Sequence, residues 1–158
     1  MSDNTFDTDS FLDTQIEQNI DTTFEPIPEG DYPATVMDGD NAINIRSGVS
    51  TKGNAWCMMD VVWEIDDKKL AEELGRNPLR VRQTIFLDLT KQGGLNLKKG
   101  QNRQLGFLRE ALGQNSEGQP WSPRMLQGQP ALINVGQRPS SENPEIVYNE
   151  VKRVTRLV

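Results

Sequence analysis

The sequence predicts an all-β domain with one main helix, preceded by an acidic leader. Short segments in which apolar and polar residues alternate recur between turn-forming residues, and this period of two is typical of half-buried strands. One segment, residues 102–112, instead has leucines three and four positions apart, the spacing of an amphipathic helix. Residues 1–23 are polar and acidic, a composition that favours disorder or a weak helix. We therefore expect a disordered leader over residues 1–23 and a folded domain over residues 24–158.

The charge of the chain is unevenly distributed. The sequence of 158 residues contains 23 acidic and 17 basic residues, a net charge of −6. Residues 1–45 contain eleven of the acidic residues and no lysine or arginine, so residues 46–158 carry a net charge of +5. Such asymmetry is typical of a nucleic-acid-binding body with a charged tail, although a leader that only improves solubility is an alternative.

Three strands are predicted in the first half of the domain. Residues 32–36 alternate as a first strand, and residues 38–54 are predicted to be a polar loop or a ragged hairpin, with Ile43 and Ile45 as strand extensions. Residues 56–65 give the strongest strand pattern. One face of this strand is wholly apolar and should face the core: Cys57, Met59, Val61, Trp63 and Ile65. A short helix over residues 66–75 leads to a strand over residues 80–89, in which Gln83 interrupts the apolar face.

The second half of the domain supplies the main helix and two more strands. The helix over residues 102–112 should end at Gly113, and strands follow over residues 131–138 and 145–158. The resulting order matches the OB-fold, a five-stranded Greek-key barrel, with the helix between strands 3 and 4. A small β-sandwich with one helix is the alternative architecture.

Five segments of the chain also resemble a known family, the OB-fold single-stranded-DNA-binding proteins of tailed phages. They are FEPIPEGDYPATV, TKGNAW, KKGQNRQLGFLREALG, WSPRMLQGQPALINVG and YNEVKRV, which run from Phe24 to Val154. The resemblance implies an OB-fold and DNA binding in phage replication or recombination, within the cytoplasm of the infected bacterial host. It assigns no individual contact. The acidic segment differs from the C-terminal acidic tails of many such proteins, because here it is N-terminal.

Binding of single strands requires aromatic rings that stack on bases and cations that follow the phosphates. In the predicted barrel, the outward faces of the two central strands bring Trp56 and Phe86 together as stacking residues, with Arg80 and Arg82 as partners for phosphates or base planes. The alternative is that both rings belong to a second small core.

Further cations are candidates for contacts with phosphates, or else simply solvated side chains. Arg46 and Lys52 are expected in the first long loop, and Arg138 at the end of the fourth predicted strand. The loop and helix start that follow the third predicted strand contain the densest group: Lys91, Lys98, Lys99 and Arg103.

Catalysis has few candidate groups in this sequence. There is no histidine, and the single cysteine, Cys57, lies on an apolar strand face, where we expect an inert thiol. No cysteine–histidine cluster for zinc and no glycine-rich phosphate loop is present. We therefore expect a non-enzymatic protein without a metal or cofactor.

The sequence also suggests partners other than DNA. Spaced apolar residues in the acidic leader favour docking to a phage nuclease, recombinase or polymerase, and a homo-oligomer is compatible with the sequence. No apolar stretch is long enough for a membrane span, so no membrane partner is expected. The alternative function is that of a structural or adaptor β-domain in phage assembly, acting through protein–protein contacts.

Overall fold

The computed structural model describes residues 6–20 and 25–157. Within these residues the protein is mostly β, with six strands in one antiparallel sheet. The strands are β1 (Gly30–Val36), β2 (Ile43–Val49), β3 (Ala55–Ile65), β4 (Arg80–Phe86), β5 (Pro130–Pro139) and β6 (Val147–Thr155). The helices are α1 (Thr8–Leu12), α2 (Lys68–Leu74) and α3 (Arg103–Ala111), with a 3-10 turn at Pro123–Leu126.

The longest strand, β3, pairs with three other strands. β4 pairs with one edge of it along residues 58–64. The opposite edge pairs first with β2, along residues 55–61, and then with β1, along residues 63–65. Of the two alternatives predicted for residues 38–54, the polar loop is therefore wrong between Ile43 and Val49. The hairpin with Ile43 and Ile45 in strand agrees with the structure, although the strand is longer than predicted and the five predicted strands are six.

The outer strands of the sheet nearly meet. β1 pairs with β5, and β5 pairs with β6, which gives the path β2-β3-β1-β5-β6 with β4 on the other side of β3. β4 and β6 approach each other, but no ladder joins them in the described part of the chain. The helix α3 packs against both strands at this place, so the sheet is open along one line that α3 borders.

The core lies on the face of the sheet that the β3 pattern predicted. Met59, Val61 and Trp63 are buried completely, as are Ala131 and Ile133 of β5. Gln83, which interrupts the apolar face of β4, accepts a hydrogen bond of 2.9 Å from the indole nitrogen of Trp63. The polar residue is therefore present because the buried indole N–H requires an acceptor.

Both helices of the folded domain lie within their predicted ranges. Asp67 caps α2 at its N-terminus, and Gly75 ends it with a left-handed backbone (φ 67°). The buried Asn102 precedes α3 and its side chain joins the loop carbonyls of Asp88 and Asn96. Gly113, one residue beyond the last capping residue of α3, has a φ of 70°, as expected for a glycine that ends a helix.

The long connection between α3 and β5 is attached to the domain through an aromatic ring. The indole nitrogen of Trp121 donates a hydrogen bond of 2.9 Å to Gln114, and the guanidinium of Arg109 lies 4.5 Å from its ring centroid. Trp121 is half-buried and packs on the core. The ring therefore pins this connection to the helix.

In the acidic leader, the structure describes residues 6–20, all of which are exposed, and α1 is the one helix among them. The predicted disordered leader also includes residues 1–5 and 21–23, and the folded domain is predicted to begin at residue 24. All of these positions lie outside the described residues. In the part of the chain that is described, none of the helices has the length and apolar character of a membrane span.

Candidate nucleic-acid interface

The pairing of β3 with β2 and β4 assembles the predicted aromatic and cationic residues on one surface. In β3, the residues that alternate with the core set point away from the core, and the register carries this face across the neighbouring strands. Gly48 lies opposite Trp56, Phe86 opposite Met58, Arg82 opposite Val62 and Arg80 opposite Glu64. We call this surface of β2, β3 and β4 the outer face.

The two rings of the outer face differ in their surroundings. Phe86, at the end of β4, is 59% exposed. Trp56 is half-buried because its ring lies across Gly48, where an added β-carbon would be only 2.7 Å from Cζ2 of the indole. Glycine at position 48 thus lets the indole lie flat on the sheet, and neither ring is sealed in a second core.

An internal ion pair lies between the two rings and the two cations of the outer face. Arg46 donates two hydrogen bonds to Asp60, of 2.6 Å and 3.0 Å, and the hydroxyl of Thr84 donates a third of 2.7 Å. Asp60 is only 3% exposed. Burial by itself would raise the pKa of Asp60, but these hydrogen bonds and the charges of Arg46 and Arg82 outweigh it, so the pKa lies below its usual value.

This pair corrects the prediction for Arg46. Arg46 lies on strand β2 and not in a loop, because residues 43–49 pair with β3. Its guanidinium is held by Asp60, although about half of the side chain stays exposed. A contact of Arg46 with phosphate therefore stays a prediction, and its positive charge is partly compensated.

Arg80 and Arg82 remain available on the outer face. Arg82 is exposed, and Arg80 has one guanidinium nitrogen 3.8 Å from a carboxylate oxygen of Glu64. Such a distant pair between exposed side chains is worth little in water and would not prevent a contact with phosphate.

The remaining predicted cations lie around the edges of this surface. Lys52 is at the tip of the turn between β2 and β3, next to the Trp56 end of β3. The connection that leaves Phe86 at the same end contains exposed Lys91, Lys98 and Lys99, and it leads to Arg103, the first residue of α3. Arg138 is not brought to the outer face, because it lies on β5 beyond the ladder with β1, and β1 separates β5 from β3.

Two residues that shape the outer face were missed by sequence reasoning. Gly48 and Asp60 become significant only once the register of the β2–β3 hairpin is known, because they act on residues of the opposite strand. The available signal was the alternation of β3, in which Asp60 is a carboxylate surrounded by apolar residues. A buried carboxylate requires a partner, but Lys52 lies nearer to Asp60 in the sequence than Arg46 does, so the sequence alone does not identify that partner.

Among residues 6–20 and 25–157, no cluster of three or more histidine, cysteine or acidic side chains could hold a metal ion. Cys57 is a free thiol on the core face of β3.

Comparison with known proteins adds no assignment to this geometry. No protein-family model matches the sequence, and a search of curated proteins finds no match. The observation that bears on function is therefore the geometry of the outer face.

Proposed function

We propose that this protein binds single-stranded DNA, without strong sequence preference, on the outer face of β2, β3 and β4. The observation that carries the proposal is the presence of an exposed Phe86 and a flat-lying Trp56 on the same face as Arg80 and Arg82. Every base has a π-face, so stacking on rings tolerates any sequence, at roughly 1–3 kcal/mol per base. The arginines supply the charge that follows the phosphates.

The proposal includes an OB-like barrel as the architecture. β1 and β2 pair in succession with one edge of β3, as two halves of a first strand that is interrupted between residues 37 and 42. On this interpretation β3 and β4 are the second and third strands, whose faces form the usual binding platform of an OB-fold. The approach of β4 to β6 supports a barrel that is almost closed, and α3 then lies between its third and fourth strands.

On this proposal the protein acts by binding and not by catalysis. It would protect transient single strands during phage replication or recombination in the host cytoplasm. Its acidic leader would recruit a nuclease, recombinase or polymerase.

A titration with a thymine-rich oligonucleotide tests the proposal. We expect Trp56→Ala and Phe86→Ala each to weaken binding about 5- to 150-fold, which corresponds to roughly 1–3 kcal/mol per lost stack. Tryptophan fluorescence and gel shift report the binding. The quenching should be lost in Trp56→Ala, because Trp63 is buried in the core and Trp121 is held against Gln114 and Arg109, away from the strands of the outer face.

Tyr148→Ala is a matched control, because Tyr148 is an aromatic residue of β6 with a similar exposure of 57%. Its affinity should equal that of the wild type. If Phe86→Ala and Trp56→Ala bind as tightly as Tyr148→Ala at low salt, the outer face is not the binding surface.

A role as an assembly or adaptor domain is the second candidate, and one observation favours it. Among the described residues β2 pairs with β3 alone, so no described strand covers its other edge, and its side chains Ile45 and Val49 are exposed. Such an edge can pair with another chain. We expect the double variant Ile45→Lys/Val49→Lys to keep DNA binding. If the same variant dissociates an oligomer, as measured by light scattering, the adaptor role gains support.

A further inference from the structure

A second surface of the molecule borders the β4 side of the outer face, where β4 and β6 approach without pairing. A cleft of about 610 Å³ opens there between the two strand edges and α3, and we call it the seam cleft. Its apolar walls are Ile85 of β4, Leu108 of α3, and Val151 and Val154 of β6. The exposed ring of Phe107 stands beside these walls. The cleft can therefore take large apolar side chains.

Most of the charged side chains around the seam cleft are basic. β6 supplies Lys152 and Arg153, and Arg156 follows directly after it, with its guanidinium close to Gly113 at the end of α3. All three are exposed, and none of them is in an ion pair with another described residue. The α3 side carries one acidic residue, Glu110. An occupant with apolar residues beside a row of carboxylates would match this arrangement, provided that its carboxylates face β6.

The acidic leader has that pattern. Leu12, Ile16 and Ile20 are four residues apart, as are Asp9, Asp13 and Glu17, so a helix would carry an apolar stripe beside an acidic one. In the structure only Thr8–Leu12 are helical, as α1, and residues 14–20 contain no helix. Phe11, Leu12, Ile16 and Ile20 are 59% to 74% exposed. Exposed apolar residues in this number are the usual sign of a docking segment.

The attachment point of the leader lies next to the seam cleft. The backbone nitrogen of Ile27 donates a hydrogen bond of 2.8 Å to the side chain of Asn149, which holds the start of the domain against β6. Asn149 is two residues before Val151, where the β6 wall of the cleft begins. Six residues separate Ile20 from Ile27, and a chain of that length spans up to roughly 20 Å. The leader can therefore reach the cleft of its own chain.

We propose that residues 9–20 of the leader dock in the seam cleft of the same chain as an amphipathic helix. The apolar stripe covers the cleft walls, and the acidic stripe faces Lys152 of β6 and Arg156, which follows that strand. The inference goes beyond DNA binding and does not depend on it, because it rests on the cleft walls and the leader and not on the rings and arginines of the outer face.

Hydrogen exchange of the full-length protein at low salt, followed by mass spectrometry, tests this docking. We expect the amides of residues 9–20 to exchange at least tenfold more slowly in the wild type than in Asp13→Lys/Glu17→Lys. The charge reversal Lys152→Glu/Arg156→Glu should abolish the protection as well. A chain with all four substitutions should regain it, because the two charge patterns again match.

Lys68→Glu/Lys69→Glu is the matched control, since it makes the same charge change on the exposed surface of α2. Its leader should stay protected. The Asp13→Lys/Glu17→Lys variant changes only the leader, so it tests the docking even if substitutions in β6 impair folding.

Three outcomes would overturn the proposal. The first is exchange of the wild-type leader at the rate of an unstructured chain. The second is equal loss of protection in the α2 control. The third is protection of the leader amides that rises with protein concentration, because the leader would then dock in the cleft of a second copy of the chain.

Discussion

At the scale of single residues, the polar groups buried in the sheet are held by partners on neighbouring strands. Trp63 and Gln83 join β3 to β4 on the core side, while Asp60 joins β2 and β4 through Arg46 and Thr84 on the outer side. In the described residues every buried side-chain nitrogen or oxygen has a hydrogen-bond partner. Removal of one member of such a pair leaves the other buried and unsatisfied, which costs more than the bond itself contributes.

The bond between Trp63 and Gln83 predicts a loss of stability in Gln83→Leu. The leucine is apolar and of similar size, but the indole N–H, which lies in a completely buried side chain, would lose its acceptor. We expect the free energy of unfolding to fall by about 1–3 kcal/mol, measured by urea denaturation. In a Trp63→Phe background the same substitution should cost much less, because no donor is left unsatisfied. Equal costs in the two backgrounds would show that the bond is not the cause.

The lowered pKa of Asp60 predicts a pH-dependent loss of stability in Asp60→Asn. An aspartate whose folded pKa lies below its unfolded value of about 3.9 stabilises the protein above that value and loses this contribution as the pH falls through the folded pKa. We expect Asp60→Asn to be less stable by about 1–3 kcal/mol at pH 7, and the difference to shrink as the pH falls below about 4.

Urea unfolding at several pH values measures this difference. Asp40→Asn, in the exposed segment before β2, is the matched control and should change stability by less than about 0.5 kcal/mol. A deficit of Asp60→Asn that is the same at every pH would mean that its carboxylate charge contributes nothing.

At the scale of elements, the sequence predicted those strands and helices whose apolar residues share one face. The alternation of β3 located its core face, and the leucine spacing of α3 located the main helix. β2 was predicted only as strand extensions at Ile43 and Ile45, because an edge strand that is exposed on both faces needs no apolar alternation: Asn44, Arg46 and Ser47 lie in its centre. Its existence depends on backbone pairing with β3, which side-chain patterns do not encode.

The candidate site shows the same limit. The common face of Trp56, Arg80, Arg82 and Phe86 could be predicted, since it follows from the period of two in β3 and β4. The ion pair of Arg46 with Asp60 could not, because it requires the register between β2 and β3. The seam cleft could not be predicted from the sequence either, because it forms where two strands distant in sequence approach without pairing.

The pairing of β2 with β3 also predicts the effect of Gly48→Ala. Its backbone has an ordinary conformation, so alanine adds no backbone strain, and the only conflict is with the Trp56 ring at 2.7 Å. We expect the ring to be displaced and DNA affinity to fall several-fold, while the free energy of unfolding changes by less than about 1 kcal/mol. Gly106→Ala in α3 meets no atom within 4 Å and should leave the affinity unchanged. An unaltered affinity in Gly48→Ala would show that the flat position of the ring is not needed for stacking.

At the scale of the whole molecule, charge is separated along the chain. The leader repels phosphates, while the domain after residue 45 has a net charge of +5 and attracts them. Repulsion of this kind acts over the Debye length, about 30 Å at 0.01 M salt and about 3 Å at 1 M. On the proposed function, the leader should therefore weaken DNA binding most at low salt, where its field reaches furthest.

Neutralising the leader tests this separation of charges. We expect a full-length variant in which Asp7, Asp9, Asp13 and Glu17 are replaced by their amides to bind a thymine-rich oligonucleotide about 3- to 10-fold more tightly at roughly 0.02 M salt, because a repulsive field is removed. The advantage should disappear near 0.5 M salt, where the field is screened. A variant with alanine at the uncharged positions Thr14 and Gln18 should bind as the wild type does. A gain in affinity that is equal at all salt concentrations would mean that the leader blocks the outer face by direct contact. Steric blocking does not depend on the Debye length, whereas repulsion by the field does.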